Sequence, residues 1–243
     1  MKIIGDYHTH TVYSHGKGTI EDNVKEALAK GLSEIVISDH GPGHYLFGVK
    51  KKNLYKMREE IDLLQKKYPN IKIMLGVEAN IISVDGDIDV DDEVLGILDK
   101  LLVGFHFGVT GKTLTDNNKL FIMPRVGKLY KGAESYNKDN VTRAVINAIM
   151  KNNIDVLTHP GDKSPVDISL VAKAAKKRGT LLEINAGHKH LTVEDAKVAL
   201  LEGADFIINS DAHISSRVGE VSSAIDIAIK ANIPVDRIKN AVE

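Results

Sequence analysis

Cysteine is absent from the 243 residues, which excludes disulfides, thiolate catalysis and sulfur-based zinc sites together. Any transition-metal site must therefore be built from His, Asp and Glu. Net charge is nearly absent too: 32 Lys and Arg stand against 33 Asp and Glu, a formal −1. Such a balance provides no long-range field to gather nucleic acid or an anionic membrane, although a local basic patch stays open. No apolar run approaches bilayer length, and the opening Met-Lys-Ile-Ile-Gly-Asp-Tyr-His lacks the apolar stretch of a secretory signal. The expectation is a cytoplasmic protein without membrane contact. Tryptophan is missing and aromatics make up only 5%, against which ten histidines stand out. What is plentiful is apolar residues, 43% of the chain, enough for a large core and too many for disorder.

Short β-branched runs alternate with amphipathic stretches of helical period, the rhythm of parallel βαβ units. The runs are Ile3–Tyr7, Glu34–Ser38, Ile71–Val77, Leu101–Phe105, Ile154–Thr158, Leu181–Ile184 and Phe206–Asn209. Their apolar continuity is that of strands buried on both faces. Helices are predicted over Ile20–Lys30, Lys52–Tyr68, Val141–Lys151, Ile168–Arg178, Val193–Leu201 and Ala224–Ala231. Asp167 and Thr192 are N-cap candidates, and Gly31, Gly179 and Gly203 are C-cap candidates. With no linker, low-complexity segment or repeat, residues 1–243 read as a single domain. Phe107–Asp139 breaks the rhythm and is expected to form a long functional loop or partly ordered lid.

In parallel α/β folds the loops leaving the C-terminal strand ends converge on one face, where the active site lies. The runs here end in Asp6-Tyr7-His8-Thr9-His10, Ser38-Asp39-His40, Glu78-Ala79-Asn80, His106, Thr158-His159-Pro160-Gly161 and Ser210-Asp211-Ala212-His213. Only the sixth run, Glu183-Ile184-Asn185, departs: Glu183 alternates with apolar neighbours, and Asn185 is a candidate hydrogen-bonding residue. His8 and His10, two apart on an extended strand, point to the same side and can reach one ion. A lone His-x-His pair is weak evidence, since two structural histidines explain it equally well. Six strand ends together are stronger, because crowding so many titratable groups without a cation costs desolvation and repulsion.

These residues resemble the PHP superfamily, named for polymerase and histidinol phosphatase. The match runs the length of the chain through Asp6-x-His8-x-His10, His15, Asp39-His40, Glu78, His106, His159-Pro160 and Asp211-Ala212-His213. The resemblance implies a distorted (β/α)7, TIM-like barrel carrying three divalent ions. It places His8, His10 and Asp211 on a first ion, with Glu78 bridging to a second held by His106 and His159. His15, His40 and His213 would hold a third. His15 enters chiefly through the resemblance, since a histidine beside Gly16 and Gly18 is otherwise an ordinary loop residue. These nine side chains give about three protein bonds per ion, leaving positions for water and substrate as in catalytic sites. Zinc suits the donors best, with manganese or iron as alternatives.

The chemistry expected is hydrolysis of a small phosphate ester by a metal-activated hydroxide, with Glu78, Asp211 and His213 at its centre. Asp6 and Asp39 are expected to orient ligating imidazoles, Asp39 also being a candidate proton donor. Among Arg125, Arg143 and Arg217, the last is preferred as a phosphate clamp because it follows Asp211 and His213 closely. His44 is expected to face solvent or protonate the leaving group, solvent being preferred. His188 and His190 are substrate contacts or surface residues with equal weight. A histidinol-phosphate phosphatase shares all these features. A nuclease ranks lower for want of a basic groove, so nucleic acid is not an expected partner. A metal-stabilised, non-catalytic binding scaffold is disfavoured by the open positions. Oligomeric state is left open.

Overall fold

The computed structural model describes residues 1–126, 133–188 and 190–243. Seven parallel strands follow one another in chain order: β1 (Gly5–Thr9), β2 (Glu34–Ile37), β3 (Lys72–Asn80), β4 (Lys100–Gly104), β5 (Val156–Leu157), β6 (Leu181–Asn185) and β7 (Phe206–Asn209). The sheet curls until its first and last strands meet, giving a distorted (β/α)7 barrel. At one end the closure is direct, His10 N donating to Ala212 O at 2.8 Å and Ala212 N to His8 O at 3.3 Å. Towards the other end no ladder joins β1 to β7, and Asn240 fills the gap. Its side chain donates to Gly5 O (2.8 Å) and Ile208 O (2.6 Å) and accepts from Ile208 N (3.0 Å). Backbone groups facing a buried seam need partners, and one amide here supplies what an eighth strand would.

Alternation along each strand determines what fills the interior. Val36, Met74, Leu102, Val156 and Ile207 form a buried plug, with Tyr7 and Leu181 packed against it. Two residues further along the same faces come Ser38, Gly76, Gly104, Thr158, Glu183 and Asn209, and then His40, Glu78, His106, Asn185 and Asp211. The apolar plug thus passes into a polar layer and then into imidazoles, carboxylates and one amide. β1 needs an irregularity to join this pattern, since Tyr7 and His8 are adjacent. Its register against β2 shifts between Asp6 and Thr9, which lets both face inward.

Six longer helices wrap the sheet: α1 (Ile20–Ala29), α2 (Lys51–Lys67), α3 (Ala133–Lys151), α4 (Ile168–Arg178), α5 (Val193–Leu201) and α6 (Ser222–Lys230). Helix α2 buries Leu54, Met57, Ile61 and Leu64 at spacings of three and four, each burial stabilising the fold by roughly 1.5–3 kcal/mol. Asp167 caps α4 through Leu170 N, and Gly179 ends it at φ 74°. Thr192 caps α5 reciprocally with Asp195. No helix among the described residues is long and apolar enough to cross a membrane.

The expected loop or lid at Phe107–Asp139 is largely helical where it is described. Leu114–Asp116 runs into a π-helical turn, Asn117–Ile122, and Met123–Val126 follows. Residues 127–132 lie outside the described set, and α3 begins at Ala133, eight positions before the predicted Val141. A π-turn has neither the helical nor the strand period, which is why the pattern vanished. Burial of Leu120 and Phe121, the latter stacked on Phe105 at 5.8 Å, holds the segment down.

Candidate metal centre

Glu78 stands at the centre of the polar layer, 1% exposed on the inner face of β3. Its Oε1 lies 3.1 Å from His106 Nε2 and 2.8 Å from His159 Nε2. Its Oε2 faces the other way, 3.3 Å from His8 Nε2, 3.8 Å from His10 Nε2 and 2.9 Å from His40 Nδ1. Asp211 Oδ1 completes the second group, 3.4 Å from His8 Nε2 and 3.1 Å from His10 Nε2. His10, His15, His40 and His213 form a further group of mutually close ring nitrogens. All nine residues singled out in the sequence therefore converge at one barrel end.

The donor set fits divalent cations on two counts. Ligand atoms bonded at about 2.0–2.1 Å to a tetrahedral ion stand roughly 3.3 Å apart, the spacing found among these nitrogens and oxygens. The second count is unmet hydrogen bonding. Nδ1 of His10, His15 and His40 and Oε2 of Glu78 are buried without a hydrogen-bond partner. His40 Nδ1 and Glu78 Oε2 approach each other without the directional geometry of a hydrogen bond. An unmet buried group costs about 1–3 kcal/mol, and cations would take lone pairs from His15, His40 and Glu78 here, while His10 offers its other nitrogen, Nε2, beside His8 and Asp211.

The imidazoles are held by fixed partners. His8 Nδ1 meets Glu183 Oε1 at 2.8 Å, and the same carboxylate accepts from His159 N (2.8 Å), Asn185 Nδ2 (2.8 Å) and Asn209 Nδ2 (2.9 Å). His106 Nδ1 meets Asn80 Oδ1 at 2.8 Å, and Asn80 donates from Nδ2 and N to Asp89 at 2.6 and 2.7 Å. His213 Nδ1 donates to Asp211 O at 2.9 Å. Gly104 leaves space for the His106 ring, since a Cβ there would lie 2.5 Å from its Cε1. His159 and Asp211 adopt positive φ, 26° and 54°, a conformation costing non-glycine residues about 1–3 kcal/mol each. Two strained backbones within one cluster mark where the fold places geometry above stability.

Charge and burial oppose each other at Glu78 and His8. Burial pushes the Glu78 carboxyl up, but His106 and His8 outweigh it and hold the group well below its usual range. Burial likewise lowers His8, yet Asp211, Glu183 and Glu78 carry it well above the ordinary imidazole value. His15 and His106 are brought down to about 4 by burial, in His15 reinforced by His213 and His40. Neutral rings with free lone pairs are what metal binding requires.

Several expectations need correction. Asp39 donates nothing to an imidazole and takes no ring N–H: it accepts from Thr11 N (2.7 Å), Thr11 Oγ1 and Ser14 Oγ, with His10 Nδ1 no nearer than 3.9 Å. Fully buried behind the centre, its carboxyl is raised to about 6 and fixes the loop carrying His15 rather than reaching substrate. Asp6 accepts from Ser210 and Gly219 N, tying β7 to β1. Arg217 is exposed on the Ser215–Arg217 turn, beside Glu220 and outside the lining of the cavity over the centre. Arg143 is exposed on α3, whereas Arg125 lies over the Phe107 ring, 4.4 Å from its centroid.

That cavity, about 310 Å³, is lined by candidate ligands and by His44, Phe47, Phe107, Asp162, Lys163 and His188. His44 is half-buried and stacks on His40 at 5.3 Å, contrary to the solvent-facing reading. His188 lines the cavity with Nε2 3.5 Å from Asp211 Oδ2, while His190 pairs with Asp162 at its rim. Glu183, Asp89 and Lys163 were missed. Glu183 alone carried a signal, since a carboxylate between buried Leu182 and Ile184 must face something that satisfies it.

The PHP domain model matches residues 6–187. The chain belongs to the PHP domain family. Asp211 and His213 lie beyond the matched residues, but similarity to other proteins spans 99% of the chain. A "Probable phosphatase" of Shewanella pealeana is 31% identical over 99% of this chain and 89% of its own length. One from Acetivibrio thermocellus is 29% identical over 99% of this chain and 92% of its own. Among solved structures, the histidinol phosphate phosphatase of Lactococcus lactis, determined with zinc, L-histidinol and phosphate, superposes with a TM-score of 0.64. At 16% identity, covering 94% of this chain and 92% of that one, the likeness establishes a shared fold.

Proposed function

We propose that this PHP protein is a cytoplasmic, metal-dependent phosphatase acting on small phosphomonoesters. The observation that carries the reading is the division of Glu78: one oxygen faces His106 and His159, the other faces His8, His10 and His40. A carboxylate so placed is suited to bridge two ions, the first held with His8, His10 and Asp211, the second with His106 and His159. His15, His40 and His213 would hold a third. Zinc is the favoured ion for this imidazole-rich set, with manganese or iron as alternatives. The phosphatase names of the full-length relatives support the same reading.

Bound ions would supply Lewis acidity, acidifying a water toward neutrality and neutralising charge on the phosphate oxygens. The chain's own residues provide the rest. Glu183, Asn80 and the Asp211 carbonyl fix ring orientation, so that lone pairs point inward before substrate arrives. Lys163 places a cation on the cavity wall, and Phe47 and Phe107 form an apolar side for the alcohol portion. A cavity of about 310 Å³ favours a small ester over a polynucleotide.

The test is turnover of an aryl phosphate by zinc- or manganese-loaded protein, before and after chelation. Chelation should remove activity and re-addition should restore it; a non-catalytic scaffold would give no turnover in either state. Histidinol phosphate, other phosphomonoesters and short single-stranded DNA, compared by kcat/KM, then rank substrates. Faster hydrolysis of the DNA than of every monoester would overturn the assignment.

A further inference from the structure

Outside the nine side chains assigned above, a second group of ligating residues stands at the cavity mouth. Asp162 leaves the loop after β5, and His188 and His190 leave the loop after β6. Both imidazoles converge on the same carboxylate oxygen: His190 Nε2 is 2.8 Å from Asp162 Oδ1, and His188 Nδ1 is 3.6 Å from it. The loop bearing them is held in place, Asn185 Oδ1 accepting from Gly187 N and His188 N at 2.8 and 2.7 Å, with buried Leu191 closing it.

We propose that Asp162, His188 and His190 form a rim site for an additional divalent transition-metal ion, separate from the centre around Glu78. The three donor atoms lie close enough together to share one ion. Separations of 2.8 and 3.6 Å bracket the roughly 3.3 Å expected between donors on a tetrahedral ion. Two imidazoles and one carboxylate favour zinc-like ions over magnesium or calcium. Three protein ligands leave one position open, at the edge of the cavity. Lys163 does not block the site, because it pairs with the other oxygen, Oδ2. His188 is the link to the centre, since its second nitrogen faces Asp211 Oδ2 at 3.5 Å. With Nε2 turned toward Asp211, Nδ1 is the nitrogen left to serve the rim ion. A simple surface ion pair would need one histidine on Asp162; the second is what the rim ion explains.

The site is tested by metal content, independently of activity. Wild-type protein, His190→Ala, His190→Gln and Glu78→Gln are dialysed to equilibrium against zinc and their bound metal measured. The His190 side chain is 46% exposed, so its removal leaves the core untouched, and circular dichroism checks this. Both His190 variants should bind one ion per chain fewer than wild type, while Glu78→Gln loses ions from the centre and keeps the rim ion. Unchanged metal content in both His190 variants overturns the rim site and leaves the Glu78 centre standing. Loss in the His190 variants with none in Glu78→Gln would instead uphold the rim site and contradict the central assignment.

Discussion

Two buried glutamates on the inner face of the same barrel behave oppositely. Glu183 is 0% exposed, and its two oxygens accept four hydrogen bonds, from His8, His159, Asn185 and Asn209. Glu78 is 1% exposed, and its Oε2 accepts none although three imidazoles surround it. Burial and charge do not separate them; the fate of the oxygens does. A carboxylate saturated by donors positions its neighbours, whereas one left open among lone pairs is prepared for a cation.

Exchange of each carboxylate for its amide breaks this comparison most sharply. Glu78→Gln should lower kcat in the presence of zinc by at least about 10²-fold while leaving the metal-free fold intact by circular dichroism. Wild-type turnover in that variant would contradict the bridging role. Glu183→Gln should act less on chemistry and more on the fold. Its amide nitrogen would face donors from His8, His159 or Asn209, costing about 1–3 kcal/mol of stability and roughly 10–100-fold in metal affinity. If both variants lost activity equally with unaltered melting, the distinction drawn between them would collapse.

Asn80→Ala removes the support of one ring, His106, and should weaken metal binding by about 10-fold, read as a shift in the zinc concentration giving half-maximal activity. Asp87→Asn is the control at the small end. Asp87 pairs with Lys151 (2.6 Å) and Lys112 (3.0 Å), and it accepts from Ser83. Burial would raise its carboxyl, but these partners hold it well below 3.8. A depressed folded value means the contribution is present above the unfolded value and fades as pH falls through the acid range. The variant should therefore cost on the order of 1 kcal/mol at neutral pH, cost measurably less near pH 2, and leave metal affinity unchanged. Chemical denaturation at the two pH values checks it.

The strands and the candidate ligands were readable from sequence because both follow period two: the same alternation that buries Val36, Met74 and Leu102 carries His40, Glu78 and His106 inward. What escaped was whatever depends on contacts between distant segments. Asp39 sits next to His40 in sequence, yet its partners are Thr11 and Ser14. Asp89 reaches His106 only through Asn80. Arg217 follows the Asp211-Ala212-His213 motif closely, but the chain turns outward before reaching it. Asn240 plugs the barrel seam from near the C-terminus without any local pattern. The π-turn at Asn117–Ile122 hid the helical segment after β4 by breaking the helical period.

The most direct measurement titrates zinc into chelator-stripped protein while bound metal and aryl phosphate turnover are followed together. Turnover should rise only as the ions around Glu78 bind in whole-number ratio to protein, and Glu78→Gln should bind fewer and stay inactive. Hydrolysis at full rate by stripped protein, or no stoichiometric binding and no activation by any added ion, would contradict the account.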